Sequence, residues 1–158
     1  MFSLIITIPV PKILVILRPV TSLKWLPDGN MYGTNRKLIA GTADGRILCI
    51  DLEGKLFAAV QVESSVLCLD TDGKIIAGGC ADGSVRVWMM QNAKLQELCK
   101  FPKAHSGAVT AISIGTPVEQ AEDQPHRTAN IRASNYSEIL VSGSDDCSIR
   151  VWRIGYEK

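Results

Sequence analysis

Little in this sequence points to an enzyme centre, a metal site or a charged surface built for nucleic acid. Lysine and arginine number 17 against 16 acidic residues, for a net charge of +1. A global attraction to nucleic acid or to an acidic membrane is therefore not expected. Lys94, Lys100, Lys103, Arg127, Arg132, Arg150 and Arg153 are scattered among acids, with no aromatic interleaving to stack bases. The cysteines are 5 in number, Cys49, Cys68, Cys80, Cys99 and Cys147, and no C-x-x-C pair occurs. Neither a disulfide framework nor a zinc ribbon is indicated, and a reducing compartment, cytoplasmic or nuclear, suits such a chain. Cys49, Cys68 and Cys99 sit in apolar runs, where a thiol acts as a small hydrophobe. Cys147 follows two aspartates and is expected to be exposed in a turn. There are only 2 histidines. His126 has no ligand companion at useful spacing, so no metal, cofactor or convergent His/Asp/Glu cluster is expected.

An uninterrupted membrane span is also missing. Met1 to Leu17 is strongly apolar, yet Lys12 interrupts it and Pro9 and Pro11 would break a helix that needs about 20 apolar residues. No basic residue precedes the run, as a signal peptide would require. Its isoleucine and valine content favours one or two flanking strands over residues 1–17, with a targeting segment as the competing reading. The remaining composition is ordinary for a globular chain, 46% hydrophobic and 21% charged. The length of 158 residues suits a single domain.

What the sequence does contain is a repeat. Three segments align without gaps: Ile39-Ala-Gly-Thr-Ala-Asp44-Gly-Arg-Ile-Leu-Cys-Ile50, Ala77-Gly-Gly-Cys-Ala-Asp82-Gly-Ser-Val-Arg-Val-Trp88, and Val141-Ser-Gly-Ser-Asp-Asp146-Cys-Ser-Ile-Arg-Val-Trp152. A second motif precedes each: Val20-Thr-Ser-Leu-Lys-Trp25, Val66-Leu-Cys-Leu-Asp70 and Val109-Thr-Ala-Ile-Ser-Ile114. The matched valines lie 46 and 43 residues apart, and self-similarity at such a period is the signature of a repeat architecture. The longer interval between Asp82 and Asp146 places an insertion between Gly115 and Glu138.

Within each unit, alternating apolar residues and Asp-Gly turns at Asp28, Asp44, Asp72 and Asp82 predict short antiparallel strands. The first unit is expected to have strands at 20–25, 37–42, 46–51 and 55–62, and the second at 65–70, 74–79, 84–89 and 94–101. The third is expected at 108–114, 138–143 and 148–154. The insertion, residues 115–137, is polar and reads as a disordered loop.

These motifs resemble the WD40-repeat family. The resemblance implies an all-β fold of four-stranded antiparallel blades, about three in number, forming an incomplete or open β-propeller. The region would be single, with blades near 18–62, 63–101 and 104–154. In the third unit the resemblance also implies a structural tetrad of His105, Ser142, Asp146 and Trp152. A catalytic Ser-His-Asp reading is rejected, because no nucleophile elbow surrounds Ser142. The other units lack the histidine, Ala40 and Gly78 replace the serine, and Ile50 replaces the first tryptophan.

The turn aspartates Asp44, Asp82 and Asp146 are expected on one face, with Ala43, Ala81 and Asp145 just before them as partner-facing positions. The implied function is a non-enzymatic scaffold for protein–protein interaction, a fragment or short form of a longer propeller. Partners would be other proteins, among them a second copy or a complementary propeller fragment. Val66-Leu-Cys-Leu-Asp70 with Lys74-Ile-Ile-Ala-Gly-Gly79 is faintly similar to F-box WD proteins. The alternatives are thus a substrate-recognition subunit of a ubiquitin ligase or a nucleic-acid-associated WD40 factor.

Overall fold

The structure is a computed structural model and describes residues 18–27, 37–115 and 138–155. The expected strands within 1–17, the Asp28-Gly29 turn, His126 and nearly all of the 115–137 insertion lie outside the described residues.

Eleven strands are present among the described residues: β1 (Val20–Leu26), β2 (Lys37–Thr42), β3 (Arg46–Asp51), β4 (Leu56–Gln61), β5 (Val66–Thr71), β6 (Ile75–Cys80), β7 (Val85–Gln91), β8 (Lys94–Phe101), β9 (Val109–Gly115), β10 (Glu138–Ser144) and β11 (Ile149–Ile154). They form three antiparallel meanders. Two are four-stranded, β1-β2-β3-β4 and β5-β6-β7-β8, and the third is the three-stranded β9-β10-β11. β2, β3 and β8 have the expected bounds, and the other strands begin or end a residue or two away, at some ends because polar side chains close the turns. Ser84 and Ser148, for instance, hydrogen-bond to Asp82 and Asp146 and stand outside their strands.

Each sheet has a leading face toward the sheet before it and a trailing face toward the sheet after it. Strand parity assigns the residues. Ile47 and Cys49 on the trailing face of the first sheet meet Val66, Leu69, Ile76 and Trp88 on the leading face of the second in one buried cluster. Ile75, Ala77, Val85 and Val87 meet Val109, Leu140 and Ile154 across the next seam. The middle sheet is covered on both sides, so every residue of β6 is buried, and its sequence is a continuous small-and-apolar run instead of an alternating one.

The seams are tight enough to dictate glycine. A Cβ at Gly79 would lie 2.5 Å from Val109 Cγ1 and 2.6 Å from Cys68 Sγ. The hairpin turns carry positive φ at Gly45 (83°), Gly83 (79°) and Cys147 (64°). The first two also lie under the next linker: a Cβ at Gly45 would lie 2.5 Å from the Val62 carbonyl oxygen, and one at Gly83 would strike that of His105.

Candidate functional site

The linker from β8 to β9 carries His105, which is buried and whose amide donates to the Gly83 carbonyl at 2.9 Å. Its ring is thereby fixed over the hairpin between β10 and β11. Nε2 lies 2.8 Å from Ser142 Oγ, and Nδ1 lies 3.2 Å from Asp146 Oδ2 and 2.9 Å from Ser148 Oγ. Trp152 Nε1 donates to the same Ser142 oxygen at 3.1 Å. An indole can only donate, so Ser142 accepts from Trp152 and gives its own proton to His105 Nε2. His105 then holds its proton on Nδ1 and donates toward Asp146. The four side chains form one directed chain, Trp152 to Ser142 to His105 to Asp146, with every group satisfied.

Asp146 closes the chain as an acceptor. The Ser148 hydroxyl donates to Oδ1 at 2.6 Å, and the amides of Ser148 and Ser106 donate at 2.9 Å each. The Ser148 hydroxyl above all, then these amides and the His105 ring, hold the Asp146 carboxyl well below the usual carboxylate range despite the opposing effect of desolvation. Ser142 is 0% exposed, which leaves its hydroxyl occupied and closed to a substrate.

The other two sheets place different residues at these positions. Val62 donates its amide to the Gly45 carbonyl as His105 does to that of Gly83; Val62 therefore stands in the histidine's place. Gly78 takes the place of Ser142, and Trp88, fully buried, has no partner for its indole nitrogen among the described residues. A Cβ at Gly78 would already lie 3.0 Å from the Trp88 ring, so the tryptophan fills the space a serine would use. In the first sheet Ala40 and Ile50 pack with Leu48 in a separate apolar cluster.

The turn aspartates differ in the same way. Asp44 accepts from Thr42 Oγ1 at 2.6 Å and pairs with Arg46 at 3.3 Å. At Asp82 desolvation opposes ionisation, yet the Ser84 hydroxyl and amide outweigh it and draw the carboxyl below its usual range.

Ala43, Ala81 and Asp145 occupy one equivalent position. Their amides donate to the carbonyls of Pro19, Ser65 and Ala108 at 2.9, 2.9 and 3.0 Å. Each hairpin is thus tied to the residue before its own first strand. Ala81 and Asp145 are exposed and Ala43 is half-buried, so the third sheet alone offers a charge here.

Sequence reasoning missed three features. Ser148 and Ser84 complete their turns, and the D-x-S spacing is the signal that would have found them. Arg86, nearly buried, is held by Glu63 at 3.0 Å and by Glu97 at 3.7 Å; these contacts are long-range and leave no local pattern. Glu138 is buried with one oxygen unpartnered among the described residues, and burial, followed by the charge of Asp72, pushes its carboxyl up. Among the described residues no group of three or more His, Cys, Asp or Glu is placed to hold a metal ion, and no helix is long and apolar enough to cross a membrane.

Stacked meanders joined by linkers that lie over the preceding hairpins define an open β-propeller. The family model described as WD domain, G-beta repeat matches residues 14–51, 55–89 and 124–153, and the chain belongs to the WD40-repeat family. A curated relative, nuclear distribution protein PAC1 of Meyerozyma guilliermondii, is 37% identical over 75 residues, which are 47% of this chain and 13% of that protein. Among solved structures, Sqt1 of Saccharomyces cerevisiae superposes with a TM-score of 0.62 at 17% identity, covering 87% of this chain and 32% of that one. A chain of the mitotic checkpoint complex gives 0.58 at 19% identity, covering 87% and 38%. The chain therefore spans well under half the length of each, and the structural likeness shows the fold.

Proposed function

We propose that this chain is a non-enzymatic scaffold that binds other proteins through its hairpin-turn face, and that the His105–Ser142–Asp146–Trp152 set is structural. The observation that carries this reading is the equivalence of Ala43, Ala81 and Asp145. One repeated hydrogen bond holds all three at the ends of stacked sheets, as a row of fixed positions. Rigid elements presenting exposed turns are a common basis for recognition. The blades are taken as 18–62, 63–101 and 104–154. The five free cysteines support a reducing site of action, cytoplasmic or nuclear. Asp145 favours a basic group on the partner.

The test compares cellular proximity labelling by the wild-type chain with that by Asp145→Lys and Ala81→Glu variants of unchanged melting temperature. Loss of a defined set of labelled proteins from both variants supports the turn face. An identical labelled set from all three chains overturns it.

A further inference from the structure

Val62 and His105 make the same amide hydrogen bond to a hairpin glycine, so the residues that follow them, Glu63 and Ser106, occupy equivalent places. Pairing with the second strand makes two arginines equivalent as well: Arg86 opposes Gly78, and Arg150 opposes Ser142. In the middle sheet the two places are joined. Glu63 Oε2 lies 3.0 Å from Arg86 Nη2 and 3.0 Å from Lys100 Nζ. In the third sheet they hold a serine and an arginine, both exposed. The ion pairs among the described residues do not include Arg150.

The Ser106 hydroxyl is open to chemistry. Its one contact among the described residues is with Asp146 Oδ2 at 3.5 Å, longer than an ordinary O–H···O hydrogen bond. A phosphate on this oxygen would reach as far as the Glu63 carboxylate does, because phosphoserine and glutamate carry their terminal oxygens the same number of bonds from Cα. The turn aspartate does not bar an anion here. Asp82 stands to Glu63 as Asp146 does to Ser106, and Glu63 still lies against its arginine. Lys103, exposed three residues before Ser106, offers a cation to a kinase with an acidic substrate groove. Arg18 stands likewise before Thr21, but the Thr21 hydroxyl already donates to the Val66 carbonyl.

We propose that Ser106 is a phosphorylation site and that its phosphate pairs with Arg150 as Glu63 pairs with Arg86. A protein kinase moves the γ-phosphoryl group of ATP to Ser106 Oγ. The Oγ–P bond forms, the P–O bond to ADP breaks, and the hydroxyl proton passes to the base of the kinase. The phosphate carries a charge of about −1.5 to −2 at neutral pH and offers several acceptor oxygens, so one guanidinium can hold it through paired hydrogen bonds. The linker before β9 is then tied to β11 by a modification, as the linker before β5 is tied to β7 by its sequence. One consequence rests on the reading of the turn face as a partner surface: the added charge lies beside Asp145 and strengthens the attraction for a basic group. The pairing itself does not depend on that reading.

The test uses the full chain with phosphoserine installed at position 106 by genetic-code expansion, followed by phosphorus NMR against pH. A phosphoserine loses its second proton near pH 6. Arg150 should hold that midpoint down, so Arg150→Gln should raise it by about 0.5 pH unit or more, since the neighbours Asp145 and Asp146 act in the opposite direction. Without phosphate, Ser106→Glu should raise the melting temperature by about 1–3 °C, a gain that Arg150→Gln removes. Incubation of the wild-type chain with ATP and a kinase that selects a basic residue three places before serine, then peptide mass mapping, should place phosphate on Ser106. Equal midpoints in the two phosphorylated chains, a Ser106→Glu gain that survives Arg150→Gln, or phosphate found only on other residues overturns the proposal. None of these measurements involves a partner, so failure of this site and failure of the turn face are read separately.

Discussion

Removing one oxygen should show what the polar chain contributes. Ser142→Ala deletes the atom that accepts from Trp152 Nε1 at 3.1 Å and donates to His105 Nε2 at 2.8 Å. Alanine keeps the Cβ, so packing changes little. His105 is 2% exposed and cannot recruit water, which leaves its Nε2 with the full desolvation penalty of an unpaired buried group, about 1–3 kcal/mol. Trp152 is half-buried, so its N–H recovers part of its loss from solvent and adds about 1 kcal/mol. The expected destabilisation is about 2–4 kcal/mol, or roughly 6–12 °C in melting temperature for a chain of this size. Thermal unfolding followed by far-UV circular dichroism measures it. Ser142→Thr retains the hydroxyl and should recover most of the loss. A shift below about 2 °C for Ser142→Ala, or equal losses for both variants, would refute the reasoning.

Three further outcomes are expected. The Asp146 carboxyl has its folded pKa below the unfolded value of about 3.9, so its contribution is complete above that pH and is lost as pH falls through the folded value; Asp146→Asn should flatten the acid limb of a stability-against-pH curve, and Asp146→Ala should lower the neutral melting temperature. Cys147 holds φ at 64°, where an L side chain is strained by about 1–2 kcal/mol, so Cys147→Gly should stabilise by about 0.5–1 kcal/mol after the glycine's own entropy cost, read as a higher denaturant midpoint. Burial pushes the Cys49 thiol up to about 12 and the Cys68 thiol up to about 11, whereas Cys147 is exposed; alkylation at pH 8 followed by peptide mass mapping should find Cys147 labelled first and Cys49 only on unfolding.

The fold was legible because its signals are local and repeated. Three Asp-centred hairpins preceded by valine motifs define the strands, and β2, β3 and β8 have the expected bounds. The tetrad residues could be named from the third unit because each occupies a fixed place in the repeat. What could not be read were contacts made between units. Val62 replaces the histidine, which becomes evident only when the Gly45 and Gly83 hydrogen bonds are compared. The Arg86–Glu63–Lys100 cluster joins a linker, a third strand and a fourth strand, with Glu63 Oε2 3.0 Å from both cations. No spacing along the chain announces such a meeting. The orphaned Trp88 nitrogen was hidden for the same reason, since it follows from a glycine on the neighbouring strand.

The distribution of polar and apolar stabilisation then follows from coverage. The middle sheet is sandwiched by two apolar seams, and there the tetrad is absent. Burying an indole of about 150–250 Å² at about 25 cal/mol per Å² gives roughly 4–6 kcal/mol, which exceeds the roughly 1–3 kcal/mol cost of its unpaired N–H. Trp88 can therefore sit at 0% exposure against Gly78 without a partner. Among the described residues the third sheet has only one covered face, and Trp152 stacks on Phe101 with ring centroids 4.6 Å apart while remaining half-buried. Its apolar return is smaller, so an orphaned nitrogen would weigh more heavily there. The complete hydrogen-bonded set is found in the sheet where apolar burial contributes least, which is where a satisfied polar network makes the largest difference to stability.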